Sequence, residues 1–322
     1  MSRSVPVAAG RRRAAGPGAP ARDRRRPFTG RTALTILGML APAVVVVAVF
    51  TYGPVLSGIQ MAFRKWTMYD LTSTPWIGLG NFQTLLASTD FATISRNTVV
   101  WVVCSLAPQF LIGFAIALAL RRKFRGRGVY QALIFFPWAV SGFLIGILFR
   151  WLFNAEFGVV NDLLLSSGLI DRRIPWLADP KLALIAVIVA NVWYGVTFFG
   201  IMILAALQSV SDDVLEAAAI DGAGRLRTLF AIVVPSIKGT LVLTVLLRVI
   251  WIFNFPDLIF GMTAGGPANQ THIITSWMIA KTQQGEYGIA SALGLISILV
   301  LSVFTLFYLA AVRRPDAKLT GG

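Results

Sequence analysis

Long apolar stretches alternate with short charged or proline- and glycine-rich segments along most of this sequence. Each apolar stretch approaches the roughly 20 residues that a helix needs to cross the hydrocarbon core of a bilayer. The pattern predicts six membrane-spanning helices, with approximate bounds at residues 33–53, 98–120, 131–153, 182–206, 240–260 and 289–312. The predicted fold class is therefore all-α, a polytopic membrane protein with six transmembrane helices.

The composition is typical of a membrane protein and includes few of the residue types that form catalytic or metal sites. Hydrophobic residues make up 56% of the 322 residues and charged residues only 13%, and the mean hydropathy is +0.73. This composition is too apolar for a soluble domain of this length. Cys104 and His272 are the single cysteine and the single histidine. A disulfide framework and a cysteine metal site are excluded, and we predict neither a catalytic centre nor a metal site.

The distribution of positive charge predicts the orientation of the chain. With both termini in the cytoplasm, 20 of the 29 lysines and arginines lie on the cytoplasmic side and seven outside, while Arg150 and Arg248 fall within spans. This bias follows the positive-inside rule. The formal charge of +15 does not indicate nucleic-acid binding, because most of the excess lies on the inner face, where anionic lipid and insertion bias account for it.

The chain is predicted to consist of one membrane domain with two polar tails. Residues 1–31 combine arginine triplets with prolines and glycines, a composition that cannot bury a core, so we predict a disordered basic cytoplasmic tail. Residues 32–313 form the predicted transmembrane domain, and residues 314–322 a second cytoplasmic tail. The first apolar stretch has span length and no small-x-small cleavage site, so it is predicted to remain as an anchor.

A polar, acid-first segment at residues 211–238 separates the fourth and fifth predicted spans. Ser211 can cap a helix whose first turn holds two aspartates, where carboxylates favour the positive end of the backbone dipole. Gly222 and Gly224 then break that helix, and a second helix starting near Arg225 runs into the apolar stretch after Pro235. The pattern predicts a helix-turn-helix at the membrane surface, a shape that suits docking into a cleft of another protein.

This segment resembles the cytoplasmic EAA loop of binding-protein-dependent ABC importer permeases. The matching positions are Glu216, Ala217, Ala218, Gly222, Ile232 and Pro235, while Val234 stands where the family usually has Leu. The resemblance implies a loop at residues 207–239 that couples the chain to an ATPase subunit. Its predicted coupling residues are Glu216, Ala217, Ala218, Asp221, Gly222, Ile232 and Pro235.

A second set of motifs narrows the resemblance to carbohydrate-uptake permeases of the maltose and glycerol-3-phosphate type, specifically the first permease of the pair. Residues 263–271 are similar to the family's Thr-x-Gly-Gly-Pro-x-x-x-Thr segment, with Gly265, Gly266 and Pro267 forming a predicted turn in an outer loop. Residues 78–82 and residues 288–293 match two further family motifs. The resemblance covers nearly everything after residue 33, without the large outer insertion of some members.

The resemblance implies that the chain is one subunit of a transport complex in the bacterial plasma (inner) membrane. The chain would pair with a second homologous permease, two copies of an ABC ATPase subunit would bind below, and an extracytoplasmic sugar-binding protein would deliver the solute. No G-x-x-x-x-G-K-S/T motif is present in the sequence. The chain is therefore predicted to be a non-catalytic subunit without a cofactor of its own, with ATP and Mg bound by the partner ATPase.

Neutral polar and aromatic residues within the predicted spans are candidates for a solute path. Ionisable groups are scarce there, and aromatic faces with amides suit an uncharged polyol better than an ion. Packing or interface roles are equally compatible with each residue. The candidates are Gln109, Asn191, Trp193, Tyr194, Trp251, Asn254 and Asp257. Trp138, beside Pro137, is another aromatic residue of this kind within a predicted span. Arg248 is either a structural partner of a backbone carbonyl or neighbouring subunit, or part of a gate.

Two other classes of function remain as alternatives. A secondary, ion-coupled carrier would show inverted repeats and broken spans around mid-membrane polar sites, and no convincing halves are visible in the sequence. A membrane-embedded enzyme would need convergent catalytic groups, which the spans lack. The predicted function is therefore import of a sugar or oligosaccharide, driven by ATP through partner subunits.

Overall fold

The computed structural model describes the backbone of residues 30–122 and 124–313 and the side chains of residues 34–122 and 124–312. The predicted C-terminal tail, Lys123 and all but the last two residues of the predicted N-terminal tail lie outside these ranges. Within them the regular structure is helical, apart from two isolated bridges, Arg64 with Trp76 and Thr67 with Asp70. The predicted all-α class is confirmed.

Fourteen α-helices make up this described part of the chain. They are α1 Gly30–Val47, α2 Gly53–Ala62, α3 Gly80–Ala87, α4 Thr89–Arg121, α5 Arg127–Phe135, α6 Gly142–Leu152, α7 Val159–Ser166, α8 Ala183–Gln208, α9 Asp212–Ile220, α10 Arg225–Thr228, α11 Val234–Phe253, α12 Pro256–Met262, α13 Ile274–Gln283 and α14 Tyr287–Arg313. By contacts the described residues divide into two units, one that ends at Pro54 and one that begins at Val55. The residues of both candidate sites below belong to the second unit.

Within the described ranges, five helices are long and apolar enough to cross a membrane, and a bent helix pair can supply a sixth span. The five are Leu34–Ala62, Thr89–Arg121, Ala183–Gln208, Arg225–Phe253 and Tyr287–Val312. Each overlaps one of the predicted spans. The prediction of a multi-span helical membrane protein is confirmed, and the third and fifth spans differ in detail from the sequence pattern.

The predicted third span, residues 131–153, corresponds to a bent pair of helices. Helices Arg127–Ala139 and Gly142–Leu152 meet at an angle of 99°. The first ends in a 3-10 turn that contains Pro137, and Val140 is extended at φ −97°, ψ 141°. Ser141 then starts the next helix, since its Oγ accepts a hydrogen bond from the Leu144 backbone N–H. Summed hydropathy does not register this break, because both halves are apolar.

The predicted fifth span, residues 240–260, extends beyond the observed end of its helix, whereas the predicted helix start near Arg225 is confirmed. The helix starts at Arg225, contains a π-helical turn at Leu229–Val233, and ends at Phe253. A separate short helix begins at Pro256. Proline disfavours helical geometry in the residue before it and lacks a backbone N–H, so the chain turns at this point and places the residues after Phe253 beside the end of α11.

Small residues allow the central helices to pack closely. A Cβ at Gly113 of α4 would lie 3.0 Å from the Gly200 backbone nitrogen of α8, and a Cβ at Gly146 of α6 would lie 2.9 Å from the Gly261 Cα of α12. Such contacts replace the hydrophobic driving force that is absent between helices in lipid. Helices α4, α6, α8, α11 and α12 therefore form the framework that positions the polar residues described next.

Candidate solute path and coupling segment

A cavity of about 250 Å³ lies where three elements meet. We call it the aromatic cavity. Trp138 comes from the break in the bent pair, Tyr194 from the middle of α8, and the other lining residues from the end of α11 and the turn that follows. The full lining consists of Trp138, Tyr194, Arg248, Ile250, Trp251, Ile252, Asn254 and Phe255. The two departures from straight spans thus shape the cavity wall.

Aromatic rings give this cavity flat apolar faces. The Trp138 and Trp251 rings stack with centroids 6.5 Å apart at 27°, and Tyr194 stacks on Phe255 at 5.1 Å and 10°. Phe198 supports Trp251 from behind, with centroids 5.0 Å apart. Rings held in this way present large, rigid surfaces to which the C–H faces of a sugar ring can bind, while Tyr194 and Asn254 supply polar atoms at the same wall.

Arg248 lies on the cavity wall and is part of a buried polar network. Its side chain is 3% exposed, and its Nε donates to Gln109 Oε1 at 2.7 Å. Gln109 Nε2 in turn donates to the Asn191 backbone carbonyl at 2.9 Å. The guanidinium carbon lies 5.6 Å from the centre of the Phe198 ring, a cation–π distance. Arg248 Nη2 is buried without a hydrogen-bond partner.

Gly195 provides the space for this network. A Cβ at this position would overlap the Arg248 Nη2 and the Gln109 amide. The buried pair between α4 and α11 therefore depends on a residue without a side chain in α8. Among the described residues the partner of Arg248 is a side-chain amide, not the backbone carbonyl that the sequence suggested.

Three of the predicted path residues line the aromatic cavity and four do not. Tyr194, Trp251 and Asn254 form part of its wall, and Gln109 reaches it only through Arg248. Asn191 is fully buried away from the cavity, with both side-chain amide atoms unpaired. Trp193 packs against the Phe149 ring at 5.5 Å, and Asp257 is exposed in the first turn of α12.

Sequence reasoning missed several residues of this site. Phe198 and Phe255 were not singled out, although both support the stacked rings. Gly195 was missed as well, although a glycine inside an apolar helix costs roughly 1 kcal/mol relative to alanine and so indicates a packing requirement. Trp138 next to Pro137 was noted, but its proline was not used to predict the break.

The coupling segment, residues 211–238, folds as a helix, a turn and a second helix, as predicted. Helix α9 spans Asp212–Ile220, and Gly222 follows it at φ +75°. The Ala223 N–H donates to the Ala218 carbonyl at 2.9 Å, and the Gly222 N–H donates to the Ala219 carbonyl at 3.1 Å. This pair of bonds is a Schellman motif, in which glycine adopts the left-handed conformation without strain.

The predicted cap of α9 is only half correct. Ser211 occupies the N-cap position at φ −63°, ψ 146°, but its side chain makes no capping hydrogen bond. The first turn of α9 does hold Asp212 and Asp213, as predicted. The dipole interaction of these carboxylates therefore remains at this end of the helix without help from the serine hydroxyl.

The coupling segment exposes both its acidic residues and large apolar side chains. Glu216, Ala217 and Asp221 are exposed, whereas Ala218 is buried. Ile220 is 86% exposed and Leu226 is 73% exposed. The other predicted coupling residues are the exposed Gly222, the half-buried Ile232 and the exposed Pro235 in the first turn of α11. Large apolar side chains that are exposed beside polar ones are typical of a protein interaction surface.

The glycine-rich loop between α12 and α13 is folded tightly on itself. Gly265 adopts φ +89°, the Gly266-Pro267 peptide bond is cis, and the Gly266 N–H donates to the Thr263 carbonyl at 3.0 Å. Thr271 Oγ1 donates to the Gly266 carbonyl at 2.8 Å. The structure thus has the predicted turn at Gly265, Gly266 and Pro267, and the threonine at the end of the motif closes it.

Side chains of α4 hold this loop in place. Asn97 Nδ2 donates to the Gln270 carbonyl at 2.9 Å, and Asn269 Nδ2 donates to Asp90 Oδ2 at 3.1 Å. Inside the loop, His272 is buried with Nδ1 2.9 Å from Ser276 Oγ. Burial lowers the pKa of His272 from 6.5 to about 4, so the imidazole is neutral near pH 7.

The two remaining sequence motifs, residues 78–82 and residues 288–293, meet in space. Asn81 Nδ2 donates to the Ala62 carbonyl at 2.8 Å and to the Arg64 carbonyl at 2.9 Å. A Cβ at Gly288 would lie 2.6 Å from the same Arg64 carbonyl oxygen. The asparagine satisfies backbone acceptors at the end of α2, and the glycine allows α14 to start beside them. Both motifs therefore have a structural role at this contact.

Among the described side chains, no group of three His, Cys, Asp or Glu residues is close enough together to hold a metal ion. Chemistry available at the aromatic cavity is limited to hydrogen bonding, ring stacking and the charge of Arg248.

Comparison with known proteins gives a consistent result. Residues 109–317 match the family described as the binding-protein-dependent transport system inner membrane component. The trehalose/maltose transport system permease protein MalF of Thermococcus litoralis is 30% identical over 275 residues, which are 85% of this chain and 92% of the relative. The sulfoquinovosyl glycerol transport system permease protein SmoG of Agrobacterium fabrum is 28% identical, covering 86% of this chain and 90% of the relative.

A solved structure supports the same assignment. A chain of a bacterial ABC transporter involved in the import of the acidic polysaccharide alginate superposes with a TM-score of 0.77 at 27% identity, covering 88% of this chain and 97% of the other. A chain of a bacterial alginate ABC transporter in complex with an alginate pentasaccharide-bound periplasmic protein superposes with a TM-score of 0.76 at 27% identity, covering 88% of this chain and 96% of the other. The family match and these similarities agree with the several apolar helices of the fold. The chain therefore belongs to the binding-protein-dependent transport system inner membrane components and is a multi-pass permease of an ABC transporter.

Proposed function

We propose that this chain is a permease subunit of an ATP-driven importer that moves a sugar or oligosaccharide delivered by an extracytoplasmic binding protein. Two similarities support the solute class. Its relatives are named as permeases for trehalose/maltose and sulfoquinovosyl glycerol, and its structural neighbour belongs to a transporter of alginate. The stacked rings, phenol and amide of the aromatic cavity suit a saccharide in chemical terms.

One observation carries the coupling mechanism: a single helix joins the coupling segment to the aromatic cavity. Arg225 starts this helix directly after the turn at Gly222, and Trp251 lies near its other end. At 1.5 Å per residue the two positions are roughly 40 Å apart along the axis. Displacement of α9 by an ATPase subunit would therefore move a wall of the cavity through one continuous element, with the π-helical turn at Leu229–Val233 as its irregular point.

The proposed assembly contains a second, homologous permease and two copies of an ABC ATPase subunit. Trp138 and Trp251 are 42% and 43% exposed in the single chain, so one side of the cavity is available to be completed by the second permease. Exposed Ile220 and Leu226 would dock beside Glu216 in a groove of the ATPase. In this proposal the ATPase subunits bind ATP and Mg, and this chain binds no cofactor and catalyses no reaction.

We further propose that both termini and the coupling segment lie in the cytoplasm. This orientation is supported by the excess of positive charge on one side of the predicted spans, which the positive-inside rule places in the cytoplasm. A reporter fused after Gly126 is expected to read as cytoplasmic, and one fused near Asp171 as extracytoplasmic. The opposite pattern would place the coupling segment on the wrong side of the membrane for an ATPase.

Transport in liposomes tests the proposal as a whole. With ion gradients collapsed, uptake of the saccharide by the complex with its ATPase and binding protein is expected to depend on ATP. The bent helix pair is a feature that secondary carriers also use, so the carrier remains the second candidate. Uptake that persists without ATP and follows an ion gradient would favour it and contradict the importer.

Substitution of two tryptophans of similar exposure tests whether the aromatic cavity lies on the path that the saccharide takes. Trp251 lines the cavity and is 43% exposed, whereas Trp193 is 41% exposed and packs against Phe149 outside it. Trp251→Ala and Asn254→Ala are expected to weaken saccharide transport by roughly 1 to 3 kcal/mol in apparent binding, with normal assembly. Equal losses for Trp193→Ala and Trp251→Ala would show that the effect is one of packing and that the cavity is not on the path.

A further inference from the structure

The positive charge of Arg248 has no compensating anion in the structure. Among residues 34–122 and 124–312, no carboxylate pairs with its guanidinium, whose hydrogen-bond partner is the neutral amide of Gln109. Nη2 is buried and unpaired. An arginine remains protonated even when buried. A fixed positive charge is therefore retained at this point of α11.

This charge faces a cavity with no other charged lining residue. The remaining seven lining residues are aromatic, aliphatic or amide side chains. An isolated ion inside the hydrocarbon region is costly and is usually kept for a function. Packing alone does not require it, because a neutral side chain could hydrogen-bond to Gln109 without the desolvation cost of a cation.

We propose that Arg248 is an electrostatic filter that keeps cations out of the solute path. This inference rests on the proposed function, since it requires the aromatic cavity to lie on that path. The filter would reject inorganic cations and cationic solutes while accepting neutral and anionic sugars, which a positive charge does not repel. Channels that exclude protons and cations use an arginine in the same way.

The size of the effect follows from the distance at which a cation would pass. At about 5 Å from the guanidinium and an effective dielectric constant of about 20, a monovalent cation would be depleted by roughly two orders of magnitude. A path wide enough for a saccharide offers little steric barrier to a small ion, and an inside-negative membrane potential draws cations inward. A charge on the wall opposes that flow without narrowing the path.

Rubidium flux tests the filter in the complete transporter. Wild type, Arg248→Gln, Arg248→Lys and Arg150→Gln are each reconstituted with the partner subunits and binding protein in liposomes with an inside-negative potential. Arg150 is an exposed helical arginine of α6 and serves as the matched control. Rubidium uptake per ATP hydrolysed is expected to stay at background for wild type, Arg248→Lys and Arg150→Gln, and to rise about tenfold or more for Arg248→Gln.

Two results would overturn the proposal. Background rubidium uptake by an Arg248→Gln complex that hydrolyses ATP would show that the charge excludes nothing. Equal leakage by Arg248→Lys and Arg248→Gln would show that the shape of the arginine matters and its charge does not. If Arg248→Gln fails to assemble, Arg248→Met, which keeps the apolar stem, is used under the same criteria. Failure of the proposed function is recognised separately, by saccharide uptake that persists without ATP, and failure to place the cavity on the path by normal saccharide transport in Trp251→Ala.

Discussion

Charge reversal at Glu216 separates the coupling role of this residue from any role in folding. Its carboxylate is exposed, and among the described residues it has no hydrogen bond or ion pair. Lysine at this position would stand four residues after Asp212, an arrangement that adds roughly 0.3 kcal/mol to a helix. No cavity and no buried charge is created, so the free energy of unfolding is expected to change by less than about 0.5 kcal/mol.

The expected effect on docking is much larger and of opposite sign. If a basic residue of the ATPase meets Glu216, lysine replaces an attraction by a repulsion at a close interface pair, which costs several kcal/mol. A loss of about 3 kcal/mol corresponds to a more than hundredfold weaker contact. Transport and stimulated ATP hydrolysis are therefore expected to fail in Glu216→Lys, while the membrane helices stay folded.

The assay compares three quantities on purified complexes: thermal stability of the permease, subunit stoichiometry, and ATP hydrolysis stimulated by the loaded binding protein. Asp171→Lys is the control, because it makes the same charge change at another exposed position, one predicted to lie on the opposite side of the membrane. Glu216→Lys with wild-type stimulation would refute the coupling role. Equal loss in Asp171→Lys would show a general effect of charge, unrelated to the segment.

Three further predictions concern residues in or near the two sites. Gly195→Ala would overlap the Arg248 side chain and is expected to destabilise the protein by about 1 to 3 kcal/mol; Gly200→Ala, which meets only ordinary contacts, should cost less, and equal melting temperatures would contradict the buried network. Because the folded pKa of His272 is depressed from 6.5 to about 4, stability is full above pH 6.5 and falls by up to about 3 kcal/mol as the pH drops toward 4; unfolding scans of wild type and His272→Gln across this window should diverge, and parallel curves would count against it. Asn191→Ala is expected to reduce transport less than substitution of the cavity residues, since Asn191 does not line the cavity, and a larger loss would mean that its amide turns into the path.

Hydropathy predicted the existence of the spans but not their breaks. The spans around Thr89–Arg121 and Ala183–Gln208 are recognisable because apolar length alone defines them. The bend of the third span and the end of the fifth depend on Pro137 and Pro256, single residues within stretches that stay apolar on both sides. A sliding sum of hydrophobicity averages over such positions, although the residue before a proline is a probable helix boundary.

The helix-turn-helix of residues 211–238 was more predictable than the lining of the aromatic cavity. Its signals are local in sequence: acids in the first turn, then Gly222 at the point where a left-handed residue is required. The path residues come from distant parts of the chain, and a polar or aromatic residue in a span has the same appearance whether it faces a cavity or a neighbouring helix. Trp193 and Tyr194 are adjacent in sequence, yet only Tyr194 lines the cavity, because helical geometry points neighbours in different directions.

The two ends of the helix Arg225–Phe253 differ in how firmly they are held, and this difference fits the proposed division of labour. At the cavity end, Trp101 Nε1 donates to the Ile252 carbonyl at 2.8 Å, and Thr275 Oγ1 donates to the Phe253 carbonyl at 3.0 Å. At the other end, Leu226 is exposed and the helix starts without a side-chain cap. Exposed backbone with few buried contacts opens or moves at low cost. An ATPase acting on the less constrained end would therefore displace that end first, and the continuous helix would transmit the displacement to the residues at the cavity, with the π-helical turn as its irregular point.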